Sequence, residues 1–225
     1  MKIKWGALVV DGRGKIGGQI ASKNGAGAYM KNKVTPSNPQ TTRQSFVRAQ
    51  FASISQGWSA LTAAQILGWN EAVSDWTNTN IFGDLKKPSG KALYQRLNNQ
   101  AQAAGLAAVT TVPTKLALPN NPITAVPIGI AATTLAITGA SVDPTVQVVV
   151  FGAAPVSDGT KNVQGKLRQL YAVSADAYTS SDAFDAYEAK FGAIALGQNI
   201  YIGVKYVVAS GQASPLQVLK ATVSA

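Results

Sequence analysis

Any chemistry in this chain has to be done without histidine or cysteine, for its 225 residues contain neither. That removes the commonest general base, the commonest metal ligand and the thiolate nucleophile. A serine nucleophile would then need a lysine or a carboxylate as its base, and no motif gathers such a set. Paired-carboxylate catalysis has no placed pair. The densest acids are Asp176, Asp182, Asp185 and Glu188. Their spacing is not that of a calcium loop, and a solvated helix face accounts for them. The run Gly12-Arg13-Gly14-Lys15-Ile16-Gly17 follows an apolar stretch and matches the dinucleotide fingerprint G-x-G-x-x-G. A dinucleotide site needs a helix next, and an acid about 20 residues on. Here GQIASKNGAG follows, a poor helix former, and the next acid after Asp11 is Glu71. The sequence predicts no enzyme, no cofactor and no metal site.

What the sequence does gather is cations. The net charge is +10. Met1 to Arg48 carries nine Lys/Arg against one acid, whereas 49–112 has four against three and 113–225 seven against six. The nine are Lys2, Lys4, Arg13, Lys15, Lys23, Lys31, Lys33, Arg43 and Arg48. They form a candidate partner-binding arm. The period of two places Lys2 with Lys4, and Lys31 with Lys33, on strand faces. Three readings of this arm stay open. Lysines blunt an edge strand against aggregation, they neutralise nucleic-acid phosphates, or they grip an acidic neighbouring subunit. Trp5 and Tyr29 lie among them as stacking platforms for bases.

The elements that must carry these residues follow from local signals. Ile3 to Val10 reads as a strand and Asp11-Gly12-Arg13-Gly14 as a turn. Lys15 to Ser22 continues, Lys23-Asn24-Gly25 turns again, and Ala28 to Val34 returns. Asn-Gly is a strong hairpin signal. Thr35 to Trp76 reads as a helical hairpin. Asn38-Pro39 predicts an N-cap and a first-turn proline. Val47, Phe51, Ile54 and Trp58 then make one apolar face. Thr62 and Gln65 make a capping box, with Leu61 and Ile66 as its hydrophobic staple. Ile66, Trp69, Val73 and Trp76 form the second stripe. Phe51, Trp58, Trp69 and Trp76 are the expected structural core, and alanine at Trp58 or Trp69 is expected to cost about 3–5 kcal/mol. The second helix bears Glu71 and Asp75 and no Lys or Arg, which argues against a DNA-reading helix-turn-helix.

Residues 77–88 read as a loop, and a third helix runs from an N-cap at Ser89 to Gly105. From Ile123 the pattern changes to short strands: Ile123–Ile128, Thr134–Ile137, Val146–Phe151, Leu167–Ser174, Asn199–Val208 and Leu216–Val223. A short helix at Ser181–Phe191 interrupts them. The fold class expected is α+β. An N-terminal β-hairpin and three-helix domain (1–112) and a linker (113–122) precede an all-β immunoglobulin-like or fibronectin-like sandwich (123–225). A fragment from Asn120 to Ala225 is expected to fold alone as a β-rich unit.

Charged residues are only 13% of the chain, so the surface is polar but weakly charged, which suits repeated subunit contact. The apolar run of MKIKWGALVVDG stops at Asp11, too short for a signal peptide. No run of about 18 apolar residues exists, so no membrane span is expected.

The N-terminal half also carries a resemblance. Its residues are Gly17-Gly18, Ser22-Lys23-Asn24, Gly27-Ala28-Tyr29 and Val34-Thr35-Pro36-Ser37-Asn38-Pro39. They continue with Thr41, Gln44, Arg48, Phe51 and Trp58, then Leu61-Thr62-Ala63-Ala64-Gln65, Trp69, Ser89-Gly90 and Leu93-Tyr94. This stretch, roughly residues 15–105, resembles uncharacterised proteins encoded by tailed bacteriophages and prophages. That pattern often has arginine after Leu-Thr-Ala-Ala-Gln, where Ile66 stands here. The resemblance implies a virion structural protein, either capsid-associated (decoration or minor capsid) or a head-tail connector component. Its implied partners are capsid, portal or tail subunits, as a homo-oligomer or in many copies. Its implied place is the virion, assembled in the bacterial host cytoplasm. The alternative is a DNA-binding accessory protein that uses the basic arm.

Overall fold

The helical part is built from three segments whose ends are set by side-chain caps. α1 spans Thr42–Ser59, and the Thr41 hydroxyl accepts from the Gln44 N–H at 3.3 Å. The cap is therefore not Asn38, as its neighbour Pro39 predicts. Gln40 takes φ +49, which breaks the helical path, and the Asn38 amide oxygen instead accepts from Arg48 Nη2 at 2.7 Å. α2 spans Ala63–Glu71 with both arms of its capping box formed. The Gln65 N–H donates to Thr62 Oγ1 at 3.3 Å, and the Thr62 N–H to Gln65 Oε1 at 2.9 Å. A 3-10 turn, Ala72–Ser74, follows, so Trp76 reaches the core from beyond the helix. α3 spans Gly90–Ala103, capped by Ser89, whose Oγ accepts from the Ala92 N–H at 3.2 Å. It ends as Gly105 takes φ +74 and the Leu106 N–H returns to the Ala101 carbonyl at 2.9 Å. That return bond closes the last turn.

The computed structural model describes residues 2–4, 12–24, 27–118, 123–125, 128–129, 134–135, 138–139, 146–157, 159–160, 162–174 and 182–223. Trp5, most of the expected Ile3–Val10 strand, Asp11, Gly25, the Pro119–Pro122 part of the linker and Asp176 lie outside them.

Ile54, Trp69, Trp76, Leu93, Tyr94 and Leu97 form the helical core, with Trp58, Leu61, Val109 and Val112 packed on it. Trp58 and Trp69 each meet Tyr94 edge-on with ring centroids 5.4 Å apart. The chain after α3 is tied back by Asn98. This buried amide donates to the Tyr94 and Val109 carbonyls and accepts from the Val109 N–H. Phe51 is not core. It is 48% exposed, with Phe46 and Val47 beside it, because α3 covers only the C-terminal part of the longer α1.

The N-terminal hairpin expected from sequence is a three-stranded antiparallel sheet, β1 (Gly14–Ile16), β2 (Gln19–Asn24) and β3 (Gly27–Asn32). Residues 15–22 are not one strand: Ile16 pairs with Gln19 around Gly17-Gly18, and Gly17 takes φ +57. A two-residue loop with positive φ at its first position matches strand twist, and glycine adopts that φ without strain. Gly14 is therefore a strand residue, and the turn joining β1 to β2 is at Gly17-Gly18. The expected turn at Asp11 begins outside the described residues, and Lys23 and Asn24 are strand rather than turn. The G-x-G-x-x-G run is strand and hairpin turn, with no helix behind it. The Ile3 N–H donates to the Ala28 carbonyl at 3.0 Å, and Lys2 bridges Tyr29, so residues 2–4 lie alongside β3. The expected loop at 77–88 contains a small hairpin, β4 (Asn78–Thr79) and β5 (Leu85–Lys86).

The C-terminal half holds four short strands, then a large sheet. β6 (Ile123–Ala125) pairs with β9 (Thr138–Gly139), and β7 (Ile128–Gly129) with β8 (Thr134–Leu135). The two strands expected between 123 and 137 are thus nested short pairings. The large sheet is antiparallel, in the order β11 (Arg168–Ser174), β10 (Gln147–Val156), β12 (Asn199–Val207), β13 (Gln217–Thr222). α4 (Phe184–Phe191) lies against it. Val148, Val150, Ile200, Ile202, Val204 and Tyr206 alternate onto one face and pack with Phe184, Tyr187 and Leu135. The whole is a mixed α+β protein.

Tyr187 is fully buried, its hydroxyl donates to the Ala153 carbonyl at 2.7 Å, and burial pushes its phenol pKa up. Tyr187→Phe leaves that carbonyl without this donor. It is expected to lower stability by about 1–2 kcal/mol, read as a lower urea midpoint at unchanged slope.

The two halves touch through the other face of the sheet. Ala104, at the end of α3, packs with Val149 and Val207. Gln169 Nε2 donates to the Ala103 carbonyl at 2.7 Å. Buried Gln212 accepts from the Leu116 N–H at 2.8 Å and donates to the Thr114 carbonyl at 2.8 Å. The described part of the expected linker is therefore hydrogen-bonded to the C-terminal half.

Candidate interaction surface

The nine cations of the expected basic arm are all exposed, and the structure divides them. Strand register settles which share a face. Lys15 pairs with Ile20, and Ile20 with Lys31, so the three form one row across β1, β2 and β3. Lys2 lies opposite Tyr29, which in turn lies opposite Ser22. Residues directly opposite in an antiparallel pair point to the same side. Lys2, Lys15 and Lys31 therefore occupy one face of the sheet together with Ile20 and Tyr29, and the period of two continues that face to Lys4 and Lys33. Lys23 pairs with Ala28 and falls on the opposite face, with Ala21 and Met30. Like charges on one sheet face repel, and a polyanionic partner relieves that repulsion.

Lys4 is engaged within the chain. Its Nζ lies 3.3 Å from Asp84 Oδ1 and 5.2 Å from the centre of the Phe82 ring. The Asp84 loop is shaped by Asn80, whose Oδ1 accepts from the Phe82 and Asp84 N–H groups at 2.8 and 3.0 Å. The Asn80 amide and the Lys4 ammonium hold the Asp84 carboxyl below its usual pKa. A depressed carboxyl pKa means this contact is intact above the ordinary value and is lost as pH falls through the lowered one. This contact ties residues 2–4 to the helical half, and the sequence carried no signal of it.

The remaining cations leave the sheet. Arg48 is used by Asn38, and Arg43 sits over the ring of Phe46 on its own helix at 5.3 Å. Arg13 precedes β1. The N-terminal half of α1 carries a second unexpected feature. Phe46, Val47 and Phe51 are each about half exposed, with Val34 at 75% just before the helix. Trp69 and Trp76 are buried, and Trp58 is half-buried at the edge of the core.

Two acids of the C-terminal half, Asp182 and Glu188, are spent on backbone. Asp182 Oδ1 accepts from the Leu135 and Phe184 N–H groups at 2.8 and 2.9 Å, and Glu188 Oε1 from the Ile194 N–H at 3.3 Å. Among the described residues, no three acids gather as a metal site. No helix among them is long and apolar enough to cross a membrane.

Comparison of the chain with protein-family models, with curated proteins and with solved structures returned no match.

Proposed function

We propose that this chain is a non-enzymatic structural protein of a tailed-bacteriophage particle. In this reading the N-terminal half docks onto other virion proteins, and the C-terminal half, read as an immunoglobulin-like module, projects or bridges. The observation that carries the proposal is the lysine face of the N-terminal sheet, where Lys2, Lys15 and Lys31 share one side with Tyr29 and Ile20. Together with the exposed apolar half of α1, it offers charge and hydrophobic area of the kind a subunit interface uses. The resemblance of residues 15–105 supplies the virion context. A capsid-associated or head-tail position, and many copies per particle, belong to the same proposal.

The second reading is a DNA-binding accessory protein, favoured by the same lysines. The two differ in salt dependence. Binding to duplex phosphates weakens with a log–log slope of about −0.9 per contact, so affinity collapses between about 50 and 200 mM salt. The expected result is no DNA binding by the full chain at either salt. Lys2→Gln, Lys4→Gln, Lys31→Gln and Lys33→Gln together are expected to abolish incorporation into particles, scored by mass spectrometry of purified virions. Tight, salt-sensitive DNA binding that the quadruple variant loses would establish the second reading instead.

A further inference from the structure

A groove of about 310 Å³ lies where the two halves meet, between α1, α3, β11 and α4. Arg43 stands on one wall and Lys190 on the other, and the amide side chains of Gln50, Asn99 and Gln102 line the space between. No carboxylate lines it among the described residues. Lys190 donates to the Gln169 backbone carbonyl, which holds its ammonium at the groove. Arg43 is pinned by the ring of Phe46 at 5.3 Å. Arg168 precedes the groove residue Gln169 on β11, and its guanidinium donates to the Gly165 and Leu167 carbonyls. Burial first, and then the charges of Arg43 and Arg168, pull the Lys190 pKa below its ordinary value. Two cations thus line the groove, and a third, Arg168, acts on Lys190 electrostatically.

We propose that this groove binds a phosphate group, with Arg43 and Lys190 as its two cations and the lining amides as neutral donors. A guanidinium fork and an ammonium are the usual pair for this ligand. Phosphate rather than a single carboxylate fits the charge. A phosphate monoester carries about −1.5 to −2 at pH 7, whereas one carboxylate leaves most of the repulsion among three cations in place. The site is independent of the lysine face and of the docking role read from it. Its phosphate has two sources, a free phosphate or small phosphomonoester and the terminal phosphate of a polynucleotide.

The experiment is calorimetric titration of the full chain with inorganic phosphate, ionic strength held constant with chloride. One saturable site is expected. Arg43→Gln with Lys190→Gln is expected to weaken it about tenfold per cation removed. The quadruple variant at Lys2, Lys4, Lys31 and Lys33, none of which lines the groove, should stay within about twofold of the parent. Should the double variant fail to fold, Arg43→Gln alone carries the test, because that side chain is exposed. A short 5′-phosphorylated oligo-dT competes with phosphate if the natural source is the end of a polynucleotide and leaves it in place if the source is a free phosphate. Either result supports the site. Absence of saturable binding, equal binding by the double variant, or succinate binding as tightly as phosphate would overturn it.

Discussion

Trp69→Ala is expected to lower stability by about 3–5 kcal/mol, a fall in Tm of roughly 6–20 °C for a chain of this size. Trp69 has no exposed surface and meets Tyr94 at 86°. Its indole N–H donates to the Thr110 carbonyl at 3.0 Å, which fastens the chain after α3 across the helical hairpin. Alanine removes the ring, leaves a void, and strips that carbonyl of its donor. Trp69→Phe separates these terms, since it keeps most of the volume and loses the bond. It is expected to cost about 1–2 kcal/mol for the bond. Trp58 shares the Tyr94 contact but is only half-buried, so Trp58→Ala should cost about half of what Trp69→Ala does. Urea unfolding of the three variants orders them. A Trp69→Ala protein with the parental midpoint would falsify the assignment of this residue to the core.

The contrast between these two tryptophans marks what a sequence can and cannot say. Capping is local, so Thr62 with Gln65, and Ser89, were legible from neighbours three residues away. Asn38 is not the cap, because the deciding feature is the positive φ of Gln40, which no residue type announces. Periodicity gave the apolar face of α1 correctly, yet a period fixes a direction and not how far along the helix it is covered. α1 has 18 residues and α3 has 14. The buried positions therefore begin at Ile54, while Phe51 and Val47 lie beyond the cover. Trp76 kept its place in the core although the helix gave way to a 3-10 turn before it.

The basic arm shows a different limit. Alternation was enough to pair Lys2 with Lys4 and Lys31 with Lys33. Joining those pairs to Lys15 and excluding Lys23 needs the register, and a slip of one residue inverts every side chain. That register hangs on the Gly17-Gly18 turn, which competed in the sequence with Gly12 and Gly14. The meeting of Arg43 with Lys190 is farther out of reach. It depends on the C-terminal sheet docking against α3, through contacts such as Gln169 to Ala103 and Gln212 to Leu116. Long-range packing of this sort leaves no periodic trace.

Gly211→Ala tests that docking directly, and it is expected to lower stability by about 2–5 kcal/mol. Gly211 takes φ +74, and an added Cβ would lie 2.4 Å from the Leu97 carbonyl oxygen and 2.9 Å from the Leu97 carbonyl carbon. Those atoms are backbone of α3 and cannot swing aside as a side-chain tip would. Left-handed φ in a residue with a Cβ costs roughly 1–2 kcal/mol, and overpacking adds about 1–3 kcal/mol. Relief by separation of the halves would unseat the adjacent Gln212, and with it the bonds to Leu116 and Thr114. Faster hydrogen exchange at the Leu116 amide is therefore expected along with the lower midpoint. Gly197→Ala is the control, because Gly197 takes φ +77 with nothing within 4 Å of the added Cβ. It carries the conformational strain alone, roughly 1–2 kcal/mol, and should leave the Leu116 amide protected. Equal losses in the two variants, with Leu116 exchange unchanged in both, would mean that the sheet and α3 do not meet at Gly211.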